Sequence, residues 1–372
     1  MKLTRTGWIL AATAAVLLAA GMAADYPEIV ALGVGAVVLV LAAAGWTWRK
    51  PRVTVERTLV RHRVREGQPL RCRLVVRNDG LRRSPELEVV DDSAERPMRL
   101  VLAGVPAAAT EELEYELRTR QRGVYVSPPP AVGLTDPLRL MLRARRDGKP
   151  DTYYVHPDYH EIQGFGTGGP LDVDGEASVP RRDGAAFYAL RPYVPGDERR
   201  LIHWPAYART GELVVRHLSA PDAPECLVVL DTDGELYAGG RFEEAVRLTA
   251  SFCVAALTAG ARLTLRTTTG AELRCTSYTE RTGPLDFLSG VDIARRRISW
   301  LQAVAGDGAW SSAVVVSGAM KDEDVRGIAA VASSAPTVVV RLDAGRGSAR
   351  VAAGVRVLTA STCSGFADEW NG

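Results

Sequence analysis

The sequence lacks the short motifs that mark most enzymes acting on nucleotides, peptides or esters. It contains no phosphate-binding GxxxxGK[ST] loop, no HExxH zinc motif and no GxSxG nucleophile elbow. The glycine-rich stretch Gly164 to Gly184 has no Lys-Ser/Thr pair and no strand leading into a helix, so it predicts a flexible loop. These absences make a catalytic function the weakest interpretation.

The chain also lacks an excess of either charge and any ordered set of cysteines. Its 46 basic and 44 acidic residues leave a formal net charge of +2, which gives no electrostatic argument for binding nucleic acid. Five cysteines are scattered without a CxxC pair or zinc-ligand spacing to a histidine. We therefore expect buried free thiols in a reducing compartment.

Two long apolar runs open the chain, Gly7 to Ala24 and Ile29 to Trp48, and neither contains a charge. Each has close to the roughly 20 residues that cross a hydrocarbon core of about 30 Å. The first run also has features of a secretory signal, but a second full run follows after the four residues DYPE. The sequence therefore predicts an uncleaved transmembrane hairpin over residues 1–52, with spans at about 7–24 and 29–48.

Basic residues flank the hairpin on its outer ends only. Lys2 and Arg5 precede the first run, Arg49, Lys50 and Arg52 follow the second, and the connecting loop has neither Lys nor Arg. The positive-inside rule then predicts a cell-membrane protein with two spans, whose termini and soluble domains are cytoplasmic.

Residues 53–150 show a period of two, which is typical of half-buried antiparallel strands. In LRCRLVVR, the inward set is Leu70, Cys72, Leu74 and Val76. Short strands separated by Gly, Pro and Asp predict a β-sandwich-like domain that serves as a spacer or binds protein. Residues 151–189 are predicted to be a linker or mobile loop.

From residue 224 to residue 372, apolar strands alternate with helical patterns, which predicts a doubly wound α/β domain. CLVVLD is read as a buried parallel strand, and PLDFLSGVDIARRRISWL as one helical region. Ligands bind such sheets at the carboxyl ends of the strands. The polar residues expected there could hold a divalent cation or form a solvated loop with capping acids, and they are Asp231, Asp233, Glu235 and Ser317.

The stretch RPYVPGDERRLIHWPAYARTGELVVRHL, together with the hairpin, the β-domain closed by Asp136-Pro137 and the apolar strand ending in Asp231, resembles the domain of unknown function 58 family. The resemblance covers nearly the whole chain, and its specific core is Arg191 to Arg216. It implies a von Willebrand factor A-like C-terminal domain and an accessory or scaffold role. It also implies a MoxR-type AAA+ ATPase as partner, with a transglutaminase-like membrane protein as another.

Many von Willebrand factor A domains bind Mg²⁺ at a metal-ion-dependent adhesion site written Asp-x-Ser-x-Ser. In this sequence Asp231 matches the pattern, but Asp233 and Glu235 replace the serines, and Ser317 stands where a second-loop Asp is common. The resemblance therefore implies no certain cofactor, and it leaves a Mg²⁺ site and a closed, metal-free loop as alternatives.

The family segment, residues 190–223, has two readings. Pro195-Gly196 suits a β-turn, Asp197 is a candidate N-cap for a helix over ERRLIHW, and a strand is expected after Thr210-Gly211. In one reading the segment is a structural clasp whose Trp204 and Tyr207 are core. In the other it is a docking face, because Arg and Trp often dominate interfaces, and its candidate residues are Arg191, Tyr193, Gly196, Asp197, Arg199, Arg200, His203, Trp204, Arg209 and Gly211.

The leading functional hypothesis is a non-enzymatic, membrane-anchored adaptor that works with a MoxR-type AAA+ ATPase in cell-envelope or protein-complex maturation. The alternative is a divalent-metal-dependent ligand-binding protein or cryptic hydrolase that uses the Asp231 loop. A purely structural envelope protein is a third possibility.

Overall fold

The computed structural model describes residues 2–48, 52–92, 97–146, 148–165, 189–194, 202–217, 223–295, 298–305, 310–332, 335–343, 349–352 and 355–372. Within it the chain forms two compact units, Met1–His156 and Pro157–Gly372. The first unit contains the apolar helices and a strand-rich domain. The second contains the large parallel sheet.

Two antiparallel helices, α1 (Arg5–Ala23) and α2 (Pro27–Trp48), coincide with the two apolar runs. Both are long and apolar enough to cross a membrane. They pack through small residues, which let helix backbones approach closely. A Cβ at Gly33 would lie 2.8 Å from Leu18 Cγ, and one at Gly21 would lie 2.8 Å from the Val30 nitrogen.

Three sheets build the rest of the first unit, in the orders β2-β4-β7, β1-β10-β9-β5-β6 and β3-β11-β8. The strands are β1 (Lys2–Leu3), β2 (Val53–Leu59), β3 (Arg63–Arg65), β4 (Pro69–Asn78), β5 (Leu87–Asp91), β6 (Met98–Leu102), β7 (Thr110–Arg118), β8 (Gly123–Ser127), β9 (Ala131–Thr135), β10 (Met141–Arg146) and β11 (Asp151–His156).

The inward residues of β4 follow the predicted alternation. Leu70, Cys72, Leu74 and Val76 are all buried, and they share one core with residues of β5 such as Leu87. Strand β11 pairs with β8 and β3, so residues 151–156 belong to the first unit and are not part of the linker that the sequence predicted to begin at residue 151.

The second unit is built around a seven-stranded sheet in the order β16-β15-β14-β17-β18-β20-β19. Its strands are β14 (Glu225–Leu230), β15 (Arg262–Thr267), β16 (Glu272–Cys275), β17 (Ser312–Ser317), β18 (Thr337–Leu342), β19 (Ala349–Ala352) and β20 (Val355–Ala360). A separate antiparallel hairpin joins β12 (Ala189–Pro192) to β13 (Val214–His217). The helices are α3 (Trp204–Thr210), α4 (Arg241–Thr258), α5 (Thr282–Ser289), α6 (Trp300–Val304), α7 (Asp322–Val331) and α8 (Cys363–Asn371).

The five central strands, β15, β14, β17, β18 and β20, run parallel to one another. The two edge strands, β16 and β19, are antiparallel to their neighbours. The sheet is built outward from β14, first to β15 and β16 on one side and then to β17, β18, β19 and β20 on the other. This strand order is that of a doubly wound sheet. Cys226, Val228 and Leu230 enter one core with residues of α4, α5 and α8. Leu227 and Val229 enter a second core with residues of α6 and α7.

The predicted helical region PLDFLSGVDIARRRISWL is interrupted. Helix α5 ends at Ser289, where Gly290 is the C-cap, and α6 begins only at Trp300. Residues between them pair instead with loops at the carboxyl ends of β14 and β15. The prediction of one helical region was therefore wrong, because this stretch makes hydrogen bonds to those loops.

Candidate functional site

Three polar side chains lie side by side where β15, β14 and β17 end. Leu230 pairs with both Thr267 and Val316, so the next residues on each strand, Thr268, Asp231 and Ser317, form a row. Asp231 is fully buried. Its Oδ2 accepts a hydrogen bond from Ser317 Oγ at 2.7 Å, and its Oδ1 accepts from Thr268 Oγ1 at 3.0 Å.

The backbone of the following loop adds further donors. The nitrogen of Asp233 donates to Asp231 Oδ1 at 3.1 Å, and Tyr237 OH donates to the carbonyl oxygen of Asp231 at 2.6 Å. Burial raises the pKa of the Tyr237 phenol well above its ordinary value, and the charges of Asp231 and Asp233 raise it further. The phenol therefore stays protonated and remains a hydrogen-bond donor.

This loop packs directly on the end of β17. Residues Gly234–Leu236 form a 3₁₀ turn capped by Asp233, whose Oδ1 accepts from the Glu235 nitrogen at 3.1 Å. A Cβ on Gly318 would lie 2.0 Å from the Leu236 carbonyl oxygen, so only glycine allows the two backbones to approach this closely. The loop is thus held against the strand end.

A second segment crosses the same edge of the sheet. The Ala294 nitrogen donates to Thr232 O at 2.8 Å, and the Gly234 nitrogen donates to Ala294 O at 3.2 Å. The Ile298 nitrogen donates to Thr268 O at 2.7 Å. This segment therefore joins the loops that follow β14 and β15. The strand order reverses between β14 and β17, and ligands of doubly wound sheets bind at such a switch point. There the Ala319 nitrogen donates to Leu236 O at 2.8 Å, so the loop after β14 covers the switch point.

The predicted metal residues are brought together only in part. Asp231 and Ser317 are in contact, Asp233 caps a turn, and the side chain of Glu235 is exposed. Among the residues that the structure describes, no three His, Cys, Asp or Glu side chains are grouped so that they could hold a metal ion. Asp233 Oδ1 accepts from the Glu235 nitrogen and the Glu235 side chain is exposed, so the four side chains do not converge into the oxygen cage that Mg²⁺ needs.

Two residues of the site escaped the sequence reasoning, namely Thr268 and Tyr237. Thr268 directly follows β15, so its place at the carboxyl end of a predicted strand was a usable signal. The role of Tyr237 depends on how the loop folds back, which no local pattern indicates.

The family segment folds as the β12–β13 hairpin with α3 inserted. Ile202 is buried and bridges to Val215, and α3 begins at Trp204 with His203 as its N-cap. His203 Nδ1 accepts from the Ala206 nitrogen at 3.1 Å. The prediction that Ile202 and His203 are helical was therefore wrong, because Ile202 makes an extended pairing with Val215 and Pro205 suits the first turn of a helix. The first four residues of the predicted helix, 198–201, lie outside the described residues.

The end of α3 follows the prediction. Gly211, with φ +72°, is the left-handed C-cap that ends α3 after Thr210, and the chain then returns so that β13 pairs with β12. Arg191 pairs opposite Val215, and the Tyr193 nitrogen donates to Leu213 O at 2.8 Å. Four candidate residues lie outside the described residues, namely Gly196, Asp197, Arg199 and Arg200.

Trp204 and Tyr207 project into solvent. They are 58% and 42% exposed, and their rings meet edge to face with centroids 6.1 Å apart. Val194 and Leu213, in the same hairpin, are also exposed, as is Arg209. The prediction of the clasp reading that both aromatic residues are core was therefore wrong. We call Val194, Trp204, Tyr207 and Leu213 the aromatic patch.

Residues 189–284 match the model of a family described as "Protein of unknown function DUF58". The matched region runs from β12 into α5 and contains the aromatic patch, Asp231 and Tyr237. The resemblance found from Arg191 to Arg216 is thereby confirmed for the family.

No curated protein matches the chain. Among solved structures, the CARDB domain of a Pyrococcus furiosus protein is 15% identical, with a TM-score of 0.22, covering 28% of this chain and 91% of that one. An alkylpurine DNA glycosylase from Pseudomonas fluorescens is 10% identical, with a TM-score of 0.20, covering 34% and 38%. A β-glucosidase from Erythrobacter marinus is 13% identical, with a TM-score of 0.19, covering 28% and 15%. Likenesses at these TM-scores carry no argument here.

Proposed function

We propose that this chain, whose residues 189–284 match the DUF58 family, is a non-enzymatic, membrane-anchored adaptor that docks a MoxR-type AAA+ ATPase. It would serve cell-envelope or protein-complex maturation, with a transglutaminase-like membrane protein as a further partner. The observation that carries the proposal is the aromatic patch, because two exposed aromatic rings lie within the family-matching segment.

Large apolar side chains exposed together on one surface mark candidate interaction sites, whereas single exposed residues are common. Interface hot spots are enriched in Trp, Tyr and Arg, and of these Trp and Tyr bury large areas while losing little conformational entropy. Trp204 and Tyr207 belong to a short helix held at both ends, by the His203 N-cap and by Gly211. The patch is therefore preorganised, which lowers the cost of ordering it on binding.

The closed switch point supports an adaptor over an enzyme. The oxygens of the buried Asp231 carboxylate accept hydrogen bonds from Ser317 and Thr268, and the loop beyond is tied to Ala294. A nucleophile, base or metal would need access to this edge of the sheet. In our proposal the second unit is a von Willebrand factor A-like domain whose adhesion site has become a packed loop, and the strand-rich unit is a β-sandwich spacer.

In this proposal the α1–α2 hairpin lies in the cell membrane, and both termini and the soluble domains lie in the cytoplasm. Lys2 and Leu3 pair with β10, so the residues before α1 are built into the strand-rich domain. Removal of the first helix as a signal would delete this pairing. That arrangement supports a retained hairpin, and the basic flanks support cytoplasmic termini.

Affinity purification of the full-length protein from gently solubilised membranes tests the adaptor function. We expect an AAA+ ATPase to be enriched with wild type and to be lost with Trp204→Ala/Tyr207→Ala, because removing one hot-spot residue costs about 2 kcal/mol, or about 30-fold in affinity. Tyr278→Ala is the matched control, since Tyr278 is exposed in the same unit outside the patch. Arg199→Ala/Arg200→Ala extends the test to two arginines of the same family segment.

Equal enrichment of the ATPase by wild type and the double variant would contradict docking at the aromatic patch. The competing metal-dependent function is tested separately by calorimetric titration of the full-length protein with Mg²⁺ and Mn²⁺. Saturable binding that Asp231→Ala abolishes would favour that function over the adaptor.

A further inference from the structure

Both outer ends of the helical hairpin meet one strand of the first unit. Lys2 and Leu3 pair with Leu142 and Met141 at the start of β10. Two residues further along β10, the Arg143 side chain donates from Nη1 to the Trp48 carbonyl oxygen at 3.3 Å, where α2 ends. Strand β10 therefore lies at the level where both helices would leave the membrane.

The loop before β10 is held against the first turn of α1. The Thr4 nitrogen donates to Leu140 O at 3.0 Å, and Thr4 Oγ1 donates to Arg139 O at 2.6 Å. A Cβ on Gly7 would lie 2.1 Å from Leu140 O, so the helix and the loop are in direct backbone contact. The loop is thus a fixed part of the membrane-facing end.

The buried Asp136 gives this loop its shape. Its two carboxylate oxygens accept hydrogen bonds from the Leu138 nitrogen at 3.0 Å and the Met141 nitrogen at 2.6 Å. Between them, Leu138 is 56% exposed and Arg139 has φ +54°. A left-handed conformation is uncommon for a residue with a long side chain and is maintained here by the surrounding hydrogen bonds.

The loop therefore presents an apolar tip beside a cation, next to the start of an apolar helix. Lys2 and Arg5 are exposed at the same end, and Arg143 is partly exposed. We call Lys2, Arg5, Arg139 and Arg143 the basic collar. Only the first two are adjacent to the hairpin in sequence, because pairing of β1 with β10 brings in the other two.

Among the described residues, acids neutralise only part of this charge, and the Asp136 carboxylate is buried beneath the loop and hydrogen-bonded to backbone nitrogens. Glu86 lies 3.9 Å from Arg139, but both side chains are more than half exposed, so water screens the pair. Asp92 is paired with Arg146, which is not counted in the collar. Four cations at the level of the helix ends form a surface that complements negatively charged headgroups.

We propose that the basic collar and the Asp136–Leu140 loop bind the headgroups of anionic phospholipids, with Leu138 inserted at the edge of the acyl region. Through this contact the first unit would lie against the membrane surface. The inference depends on the proposed membrane anchoring and is independent of the ATPase partner, so either can fail alone.

The test uses the full-length protein in a neutral detergent, to which mixed micelles of phosphatidylglycerol or phosphatidylcholine are added. Thermal unfolding is followed as the lipid concentration rises, since a ligand of the folded state raises Tm. We expect phosphatidylglycerol to raise the Tm of wild type and phosphatidylcholine not to do so. In Arg139→Gln/Arg143→Gln the apparent affinity for phosphatidylglycerol should fall about 25-fold, because each cation near the surface contributes about 5-fold.

Two further variants separate lipid binding from folding. Arg118→Gln/Arg120→Gln removes two exposed arginines beside Pro69, at the start of β4. The other end of β4 pairs with Val53, shortly after α2 ends, and nine residues of strand separate the two ends by roughly 30 Å. This variant should bind lipid like wild type. Arg139→Gly keeps the left-handed backbone without strain. It should lose about 5-fold in affinity while its Tm without lipid is unchanged or higher.

Three results would overturn the proposal. One is an equal phosphatidylglycerol effect in wild type and the collar variant. Another is an equal effect of phosphatidylcholine, which would mean that charge is not recognised. The third is full stabilisation by soluble glycerol phosphate, which would assign the site to a free anion instead of a membrane surface.

Discussion

At the scale of single residues, Asp231 shows how hydrogen bonds stabilise a fully buried carboxylate. Its oxygens accept from Ser317, Thr268 and the Asp233 nitrogen. Hydrogen bonds to a charged group are the stronger kind, and each donor left unsatisfied by its removal would carry its own desolvation cost. The residue that the family resemblance marks as a metal ligand therefore serves the packing of its own loop.

Asp231→Ala should destabilise the protein strongly. We expect a loss of about 3 kcal/mol in the free energy of unfolding, because two buried hydroxyls and an amide lose their acceptor. Ser317→Ala should cost only about 1–2 kcal/mol, since the carboxylate keeps its other donors. Denaturant unfolding of the full-length protein, followed by tryptophan fluorescence, measures both. A stability equal to wild type for Asp231→Ala would show that the loop does not depend on this carboxylate.

Alkaline pH should destabilise the first unit through Cys72. Burial, together with the charge of Asp91, raises the pKa of this thiol from 9.0 to about 12. The unfolded chain therefore releases the proton near pH 9 while the folded chain retains it, so stability is complete below pH 9 and is lost as pH rises toward 12. Tyr153, whose pKa burial raises from 10.0 to about 12, acts in the same direction.

Unfolding midpoints measured between pH 8 and pH 11 test this dependence. Cys72→Val removes the thiol with little change of shape, so its stability should fall less steeply with pH than that of wild type. Parallel curves for the two proteins would mean that the thiol ionises equally in both states.

At the scale of elements, the contact between α1 and the loop before β10 joins the hairpin to the strand-rich domain. It depends on Gly7, since any Cβ there would meet the Leu140 carbonyl oxygen at 2.1 Å. A backbone atom cannot move aside as a flexible side chain can. The cost of such overpacking is typically 1–3 kcal/mol.

Gly7→Ala should therefore lower the Tm of the full-length protein, while Gly35→Ala should leave it unchanged or raise it. A Cβ on Gly35 would meet no atom within 4 Å, and alanine favours the helix by up to about 1 kcal/mol. Differential scanning calorimetry in detergent compares the two variants. Equal Tm values would indicate that α1 does not rest on this loop in solution.

At the scale of the whole molecule, the orientation of the hairpin decides which compartment contains the aromatic patch. All five native cysteines are buried, so a single introduced cysteine can be labelled against a low background. Tyr26 lies in the loop between the helices and is exposed, and Leu81 is exposed in a turn of the strand-rich domain.

Tyr26→Cys should react with a membrane-impermeant maleimide in cells whose cytoplasmic membrane is intact, whereas Leu81→Cys should react only after the membrane is opened. The physical reason is the placement of basic residues on the outer ends of the hairpin. The opposite labelling pattern would reverse the orientation and place the soluble units outside the cytoplasm.

Several features were predictable from sequence because they are set by neighbours along the chain. The uncharged runs correspond to α1 and α2, the alternation in LRCRLVVR gives the buried face of β4, and the apolar run before Asp231 gives β14. Helix α4 buries Phe242 and Leu257 as its spacing predicts, since periodic burial is a local property of regular backbone.

What the sequence alone determined is therefore the kind of each regular element, the family segment and the two candidate spans. Only the tertiary structure decided that Trp204 and Tyr207 face solvent, that Thr268 and Ser317 satisfy Asp231, and that β10 brings Arg139 to the start of α1. Each of these depends on residues separated by many positions in the chain or on which face of an element is covered. Periodicity reports the local backbone, whereas such contacts are chosen by packing and by the need to satisfy buried polar groups.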